Sequence, residues 1–257
     1  MLRLRYLALG ILAVLALTYV LSAQGTKKTD AWRETFAVDK ANLADSGRNP
    51  YFILEPGYRL SFEHGKDTLI ITVTDETKIV DGVRTRVIEE RETEGGQLIE
   101  VSRNYFVIDK ITKDVYYFGE DVDEYKNGKI TGHGGSWLSG VNGARFGLMM
   151  SASPKVGDKY YQEQAPKVAM DRAEIISVTE NLKIPAGAFK DVLHTRESTP
   201  LEGGSEDKWY APGVGLIKDA DFVLAKAEPG KTMASKVGWI RSLKLLFSFL
   251  NSSELPQ

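Results

Sequence analysis

The sequence predicts an all-β protein made of one curved, half-barrel or barrel-like antiparallel sheet, with an amphipathic helix near the C-terminus. From residue 49 onward, short runs of alternating apolar and polar residues are separated by glycine, proline or asparagine turns, which is the pattern of antiparallel strands. Between residues 50 and 225 there is no sustained helical period and no internal repeat. This combination favours a barrel or sandwich over a sheet of βαβ units.

The composition is that of an ordinary globular protein, and it excludes several classes. The 257 residues are 42% hydrophobic and include 33 basic and 35 acidic residues. This balance lacks the basic surplus of a nucleic-acid-binding protein. The chain contains no cysteine, which excludes disulfides, thiolate catalysis, zinc–thiolate sites and lipidation on an N-terminal cysteine.

The N-terminus predicts export. Two arginines precede an uncharged run of 15 residues from Leu7 to Leu21, and small residues follow up to Ala23, as in a secretory signal peptide. We predict a signal peptide over residues 1–23 and a location in the bacterial periplasm or at the cell surface. An uncleaved membrane anchor is the alternative, although a spanning helix needs about 20 apolar residues.

The rest of the chain divides into a polar lead-in over 24–48, a β domain over 49–225 and a tail. The first half of the β domain is predicted to be a meander of at least five strands, with hairpin turns at Asp81-Gly82 and Asn127-Gly128. Glycine-rich residues 132–158 predict a long connection between two halves of the sheet, after which the strands resume.

Apolar residues recur at steps of three and four in the C-terminal tail, residues 226–257. They are Trp239, Leu243, Leu246, Phe247 and Leu250. The spacing predicts an amphipathic helix over 238–250 that covers an open face of the sheet. Membrane contact, through this helix or through an uncleaved N-terminus, is one alternative, and a further strand is another.

Several motifs together resemble a family of exported bacterial β-rich proteins that has no assigned activity. The motifs are Asn49-Pro50-Tyr51-Phe52, Pro56-Gly57, the run from Tyr117 to Tyr125, Gly135-Ser136-Trp137 and the run from Tyr210 to Leu216. The step from Pro185 to Phe189, followed by the last of these motifs, also resembles curved-sheet lipoprotein carriers such as LolA. That resemblance implies an apolar concave side of the sheet and transfers no catalytic residue.

Five residues around the second hairpin are candidate metal ligands. They are Glu120, Asp121, Asp123, Glu124 and His133. With a two-residue turn, Glu120, Glu124 and His133 share one face, where they would bind a metal or share a proton. Asp121 and Asp123 fall on the other face, opposite glycines whose carbonyl groups are open to a cation such as calcium. No other cofactor is predicted.

The leading functional hypothesis is a non-enzymatic binding or envelope-maintenance module that holds an apolar or glycan ligand on a curved sheet. The sequence contains no Gly-x-Ser-x-Gly nucleophile elbow and no His-Glu-x-x-His motif. A lipid or a glycan is the predicted partner, and nucleic acid is not. Two alternatives stay open: a metal-assisted hydrolase that uses Glu120, Glu124 and His133, and a structural partner of a surface complex.

Overall fold

The computed structural model describes residues 31–230, so the predicted signal peptide (1–23) and C-terminal helix (238–250) lie outside the described residues. Within the described part, all regular structure is β except one turn of 3-10 helix at Lys40–Asn42. The all-β prediction is therefore confirmed. None of the helical structure in residues 31–230 is long and apolar enough to cross a membrane.

Eighteen strands occur in the described residues. They are β1 (Leu43–Ala44), β2 (Gly47–Asn49), β3 (Phe52–Leu54), β4 (Arg59–His64), β5 (Asp67–Val80), β6 (Val83–Glu94), β7 (Gln97–Asp109), β8 (Val115–Lys126), β9 (Lys129–Gly132), β10 (Trp137–Leu138), β11 (Arg145–Met150), β12 (Lys159–Tyr161), β13 (Glu163–Gln164), β14 (Arg172–Ile184), β15 (Gly187–Ser198), β16 (Glu206–Ala211), β17 (Gly215–Asp219) and β18 (Phe222–Glu228).

One large antiparallel sheet contains all of these strands except β2 and β3. Its order is β12-β14-β15-β16-β17-β18-β4-β5-β6-β7-β8-β11-β13, with β1 paired to β7 and both β9 and β10 paired to β8. Strands β4 to β8 are neighbours in chain order, which confirms the predicted meander of at least five strands. The second half of the chain returns to the first through the pairing of β18 with β4.

The sheet nearly closes into a barrel at a single corner. Strands β12 and β13 end the two sides of the sheet, and only Gln162 separates them along the chain. At this corner a Cβ on Gly147 would lie 2.5 Å from the carbonyl oxygen of Tyr161 and closer still to the carbonyl group of Gln162. Since real Cβ atoms do not approach backbone so closely, β11 can lie against the corner only with glycine at this position.

The register sends one row of residues from five neighbouring strands into the interior. Leu60 on β4 faces Ile71 on β5, and Ile71 faces Glu90 on β6. Glu90 faces Ser102 on β7, and Ser102 faces Val122 on β8. Because directly paired residues project from the same side of a sheet, a carboxylate enters the interior in the same row as aliphatic side chains.

The hairpin formed by β2 and β3 closes one end of the barrel. Ile53 and Leu54 are buried there, and the ring of Phe52 lies 5.1 Å from that of Phe106. The Asn49 side-chain amide donates a hydrogen bond to the carbonyl of Lys113 at 2.8 Å. The Asn49-Pro50-Tyr51-Phe52 motif thus attaches the β2–β3 hairpin, which we call the floor of the barrel, to the sheet.

The lead-in also packs against the sheet. Arg33 forms a parallel bridge with Tyr160, β1 pairs with β7, and the ring of Phe36 lies edge-on to that of Tyr116 at 6.1 Å. The described part of the lead-in therefore contributes packing to the barrel despite its polar composition.

The glycine-rich segment over 132–158 differs from the prediction. It contains β10 and β11, and both pair with β8. Two glycines in this region permit close backbone approach: Gly147 at the closing corner, and Gly119 on β8, where a Cβ would lie 2.5 Å from the Trp137 carbonyl oxygen. Glycine in this segment permits close contacts between strands, whereas the sequence analysis interpreted the same glycines as the sign of a long connection.

Replacing Gly147 by alanine should destabilise the fold by about 2 kcal/mol or more, because fixed backbone atoms occupy the position of the new Cβ. Gly203→Ala is the matched control, since nothing lies within 4 Å of a Cβ at that site. Urea denaturation of both variants measures the difference. Equal midpoints for the two variants would contradict the closing contact.

Candidate functional site

Two cavities, both partly open to solvent, share Lys208 in their lining. The inner cavity has a volume of about 90 Å³ and lies against the floor, with Tyr51, Phe52 and Ile53 among its lining residues. The outer cavity has a volume of about 550 Å³ and lies beside the β15–β16 turn at the other end. Only the outer cavity falls within the range of roughly 300–1,000 Å³ that is usual for small-molecule sites.

The outer cavity is strongly acidic. The acidic residues that line it are Glu120, Glu163, Asp171, Glu197, Glu202 and Glu206. Among its lining residues in the described chain, Lys208 is the only basic one, and none is aromatic. A site of this composition favours a positively charged ligand.

Lys208 is already engaged with two carboxylates of the interior. Its Nζ lies 3.2 Å from Oε2 of Glu197 and 3.3 Å from Oδ2 of Asp219. Burial alone would lower the pKa of Lys208, but the charges of Glu197 and Asp219 raise it well above its usual range. Oε1 of Glu197 accepts a hydrogen bond from the Gln162 amide at 3.0 Å. Lys208 therefore stays charged, and its positive charge compensates the negative charges of Glu197 and Asp219.

Two interior glutamates are held in an environment that favours the protonated form. Burial raises the pKa of Glu90 to about 7. The pKa of Glu120 is raised to about 8: burial is the largest cause, a hydrogen bond with Tyr117 opposes it, and the nearby charges of Glu90 and Glu100 add to the rise. Near neutral pH, both groups hold a proton for a large part of the time.

Glu163 is the most deeply buried carboxylate that lines the outer cavity. It is 5% exposed, and its Oε2 has no hydrogen-bond partner within the described structure. Burial and the negative charge of Glu120 raise its pKa well above the ordinary value. The side chain of Trp137 and the backbone of Asp171 oppose this rise as hydrogen-bond donors to the carboxylate, but neither the Trp137 indole N–H nor Oε2 of Glu163 completes a hydrogen bond of regular geometry in the described structure. Buried polar atoms without partners are uncommon, so Glu163 marks a place where a bound group would complete the structure.

The register of the second hairpin is partly as predicted. Lys126 pairs with Lys129, and Tyr125 pairs with Ile130, as the two-residue turn requires. A register shift then pairs Glu124 with Gly132 in place of Thr131. This shift moves His133 away from the position opposite Val122 that the sequence interpretation gave it.

The structure divides the predicted metal ligands between two faces. Glu120 lies on the interior face with its row partner Asn104, and Glu124 faces Glu100 on the same side. On the outer face, Asp121 pairs with Lys78 at 2.7 Å and Asp123 with Arg103 at 2.9 Å.

His133 lies on the side of Asp123 and apart from the interior glutamates. Its Nδ1 is 3.1 Å from Oδ1 of Asp123 and 2.8 Å from the Val122 carbonyl oxygen. Over residues 31–230 no group of three or more acidic, histidine or cysteine side chains is arranged to hold a metal ion. The metal role of these five residues stays a prediction.

A second histidine cluster lies on the outer face of the sheet. His194 contacts Glu180 through Nδ1 at 2.8 Å and Asp207 through Nε2 at 2.9 Å. Its ring stacks on Trp209 at 4.6 Å, and the Trp209 indole donates to Glu180 at 2.9 Å. These contacts join strands β14, β15 and β16 on the outer face of the sheet.

Sequence reasoning finds Glu120 but misses the other central residues, Glu90, Glu163, Glu197 and Lys208. A signal existed for Glu90, which follows Ile88 at the strand period of two and so shares the side of an apolar residue. No such signal exists for Glu163, because it lies on a two-residue strand directly after the closing corner.

No known family model matches the chain, and no curated protein matches it. Among solved structures, a "putative lipoprotein" from Parabacteroides distasonis ATCC 8503 is similar to this chain. The match has 12% sequence identity and a TM-score of 0.34, and covers 71% of this chain and 100% of that one. A similarity at this level supports no inference about function.

The buried carboxylates predict that the protein is more stable in mild acid. Glu90 and Glu120 bind protons more tightly in the folded protein than at their ordinary pKa of 4.5, so the free energy of unfolding falls as pH rises from about 4.5 to about 8. Asp121 and Asp207, whose pKa values are lowered from 3.8, affect stability only below this window.

We expect the melting temperature to fall by about 3 °C or more between pH 5.5 and pH 8.5 at constant ionic strength. Differential scanning calorimetry measures it. In the double variant Glu90→Gln, Glu120→Gln the fall should be smaller, because neither replaced side chain titrates. A melting temperature that rises with pH over this window would contradict the placement of these side chains.

Proposed function

We propose that the protein is an exported, non-enzymatic binding module that holds a small ligand inside its barrel-like sheet. The observation that carries the proposal is the outer cavity of about 550 Å³. Strands β8, β13, β15 and β16, together with the turn between β15 and β16, line this cavity and leave it open to solvent, and the hairpin of β2 and β3 closes the opposite end of the barrel. A preformed pocket with a few fixed polar groups is the usual form of a small-molecule site.

The unpaired oxygen of Glu163 also supports a ligand in this cavity. Oε2 of this buried carboxylate completes no hydrogen bond of regular geometry in the described structure, which is unfavourable in an empty site and favourable once a donor is bound. The neighbouring strands hold Glu120 and Glu197 in fixed positions around the same cavity. The polar groups are therefore in place before the ligand arrives.

The cavity volumes favour a small polar ligand over a lipid. The inner cavity of about 90 Å³, which Glu90, Lys208 and Asp219 line together with apolar residues, has room for a few water molecules and is too small for an acyl chain. The larger outer cavity has no aromatic lining among the described residues, so it offers no ring on which a sugar would stack. The envelope location in this proposal rests on the signal-peptide pattern over residues 1–23.

Native mass spectrometry of protein purified from its own host tests the proposal. The wild-type protein should retain a small-molecule adduct. Thr199→Trp, which places a large ring in the lining of the outer cavity, should lose the adduct. Ile79→Trp is the control, because Ile79 is 66% exposed and does not line the cavity.

Thermal melting establishes that both variants are folded. An adduct that Thr199→Trp retains as fully as Ile79→Trp would place the ligand elsewhere, and a wild-type protein without an adduct would also count against the proposal.

A further inference from the structure

We infer that the ligand of the outer cavity is an aliphatic polyamine, with one of its ammonium groups bound by Glu163 next to Glu120. This inference rests on the proposed function, because it names the chemistry of the molecule held in the same cavity. Three features of the described structure support it: a buried carboxylate oxygen that lacks a regular hydrogen bond, an excess of acidic over basic groups, and the wide spacing of those acidic groups.

Oxygen Oε2 of Glu163 is the group that would anchor the ligand. Oε2 of Glu163 has no hydrogen-bond partner in the described residues, and the residue is only 5% exposed. An ammonium group offers three N–H donors and a positive charge. It would therefore satisfy Oε2 and compensate for the burial of the carboxylate in one contact.

Once its carboxyl groups ionise, the cavity favours a ligand with more than one cationic group. Six acidic residues line it and face a single lysine. That lysine, Lys208, already contacts Glu197 and also Asp219, which lines the inner cavity. The remaining acidic residues of the lining have no basic residue beside them in that lining. A ligand with several positive charges would balance them.

The spacing of the carboxylates favours a chain-like ligand over a single ion. Glu120 lies on β8, Glu163 on β13, and Glu202 in the turn between β15 and β16. In the described chain no three of these groups come together as metal ligands do. A flexible aliphatic chain with ammonium groups at intervals can reach carboxylates that are held apart on different strands.

Binding of such a ligand releases protons from the carboxyl groups that its ammonium groups contact. Burial raises the pKa of Glu120 to about 8, and burial also raises the pKa of Glu163 well above its ordinary value. An ammonium group pairs with the ionised carboxylate, so binding expels the proton. Since the amines of such a ligand are still mostly protonated at pH 8, the affinity should increase as pH rises from 6 to 8.

Isothermal titration calorimetry with spermidine tests the inference at low ionic strength. The expected result is net proton release, observed as a difference in binding enthalpy between phosphate and HEPES buffers at the same pH. We also expect binding at pH 8 to be about fivefold or more tighter than at pH 6. Thermal melting of each variant used below establishes that it is folded.

Glu163→Gln should weaken spermidine binding about tenfold or more, because the variant loses the charge but keeps the shape of the protonated acid. Glu63→Gln is the matched control. It removes the same charge from an exposed position on β4, next to the inward-facing Phe62, and should change the affinity less than about twofold.

Other outcomes overturn the inference. Equal affinity in Glu163→Gln and Glu63→Gln would mean that spermidine is attracted only by surface charge. Calcium binding that displaces spermidine and requires Glu163 would make this a site for an inorganic cation. If spermidine fails to bind while wild-type protein keeps an adduct that Thr199→Trp loses, the polyamine is wrong and the proposed binding function stands.

Discussion

A sheet that closes on itself sends alternate residues of every strand into one shared interior, and this constraint determines where the protein's charges lie. The interior row that contains Leu60 and Ile71 also contains Glu90, because register admits every second residue whatever its polarity. Burying a carboxylate is unfavourable unless it is paired or protonated. The structure uses both solutions: Lys208 pairs with Glu197 and Asp219, and burial raises the pKa of Glu90 and Glu120.

The two ends of the barrel therefore differ in the polarity of their side chains. The hairpin of β2 and β3 fills the floor with Ile53, Leu54 and Phe52, whereas the opposite end holds most of the acidic groups around a large cavity. Packing at the floor stabilises the fold, whereas the burial of carboxyl groups at the acidic end destabilises it. Such a division is common where a fold keeps a binding site, because groups poised for a ligand are seldom satisfied without it.

Local sequence patterns predict much of this fold. The turn at Asn127-Gly128 and the alternation of the neighbouring strands are properties of a few adjacent residues, and the structure has both. The interpretation of 132–158 as a connection fails because glycine has two uses. It forms turns, and at Gly147 and Gly119 it lets backbones approach, which only the positions of distant strands reveal.

The candidate site is harder to predict because its parts are far apart in the sequence. Glu120 can be singled out from its hairpin, but it lines the same cavity as Glu163 on β13 only because β11 pairs with both β8 and β13. The position of His133 depends on a register shift of one residue next to Glu124. A shift of this size changes which side chains share a face, and nothing in the hairpin sequence encodes it plainly.

The protonation of the interior glutamates is the most direct test of this account. Carbon-13 NMR of the glutamate side-chain carboxyl groups, followed across pH and assigned with Glu90→Gln and Glu120→Gln, measures it residue by residue. The account predicts that Glu90 titrates with a pKa of about 7 and Glu120 with a pKa of about 8. Titration of both groups near 4.5, the ordinary value for glutamate, would show a solvated interior and contradict the account.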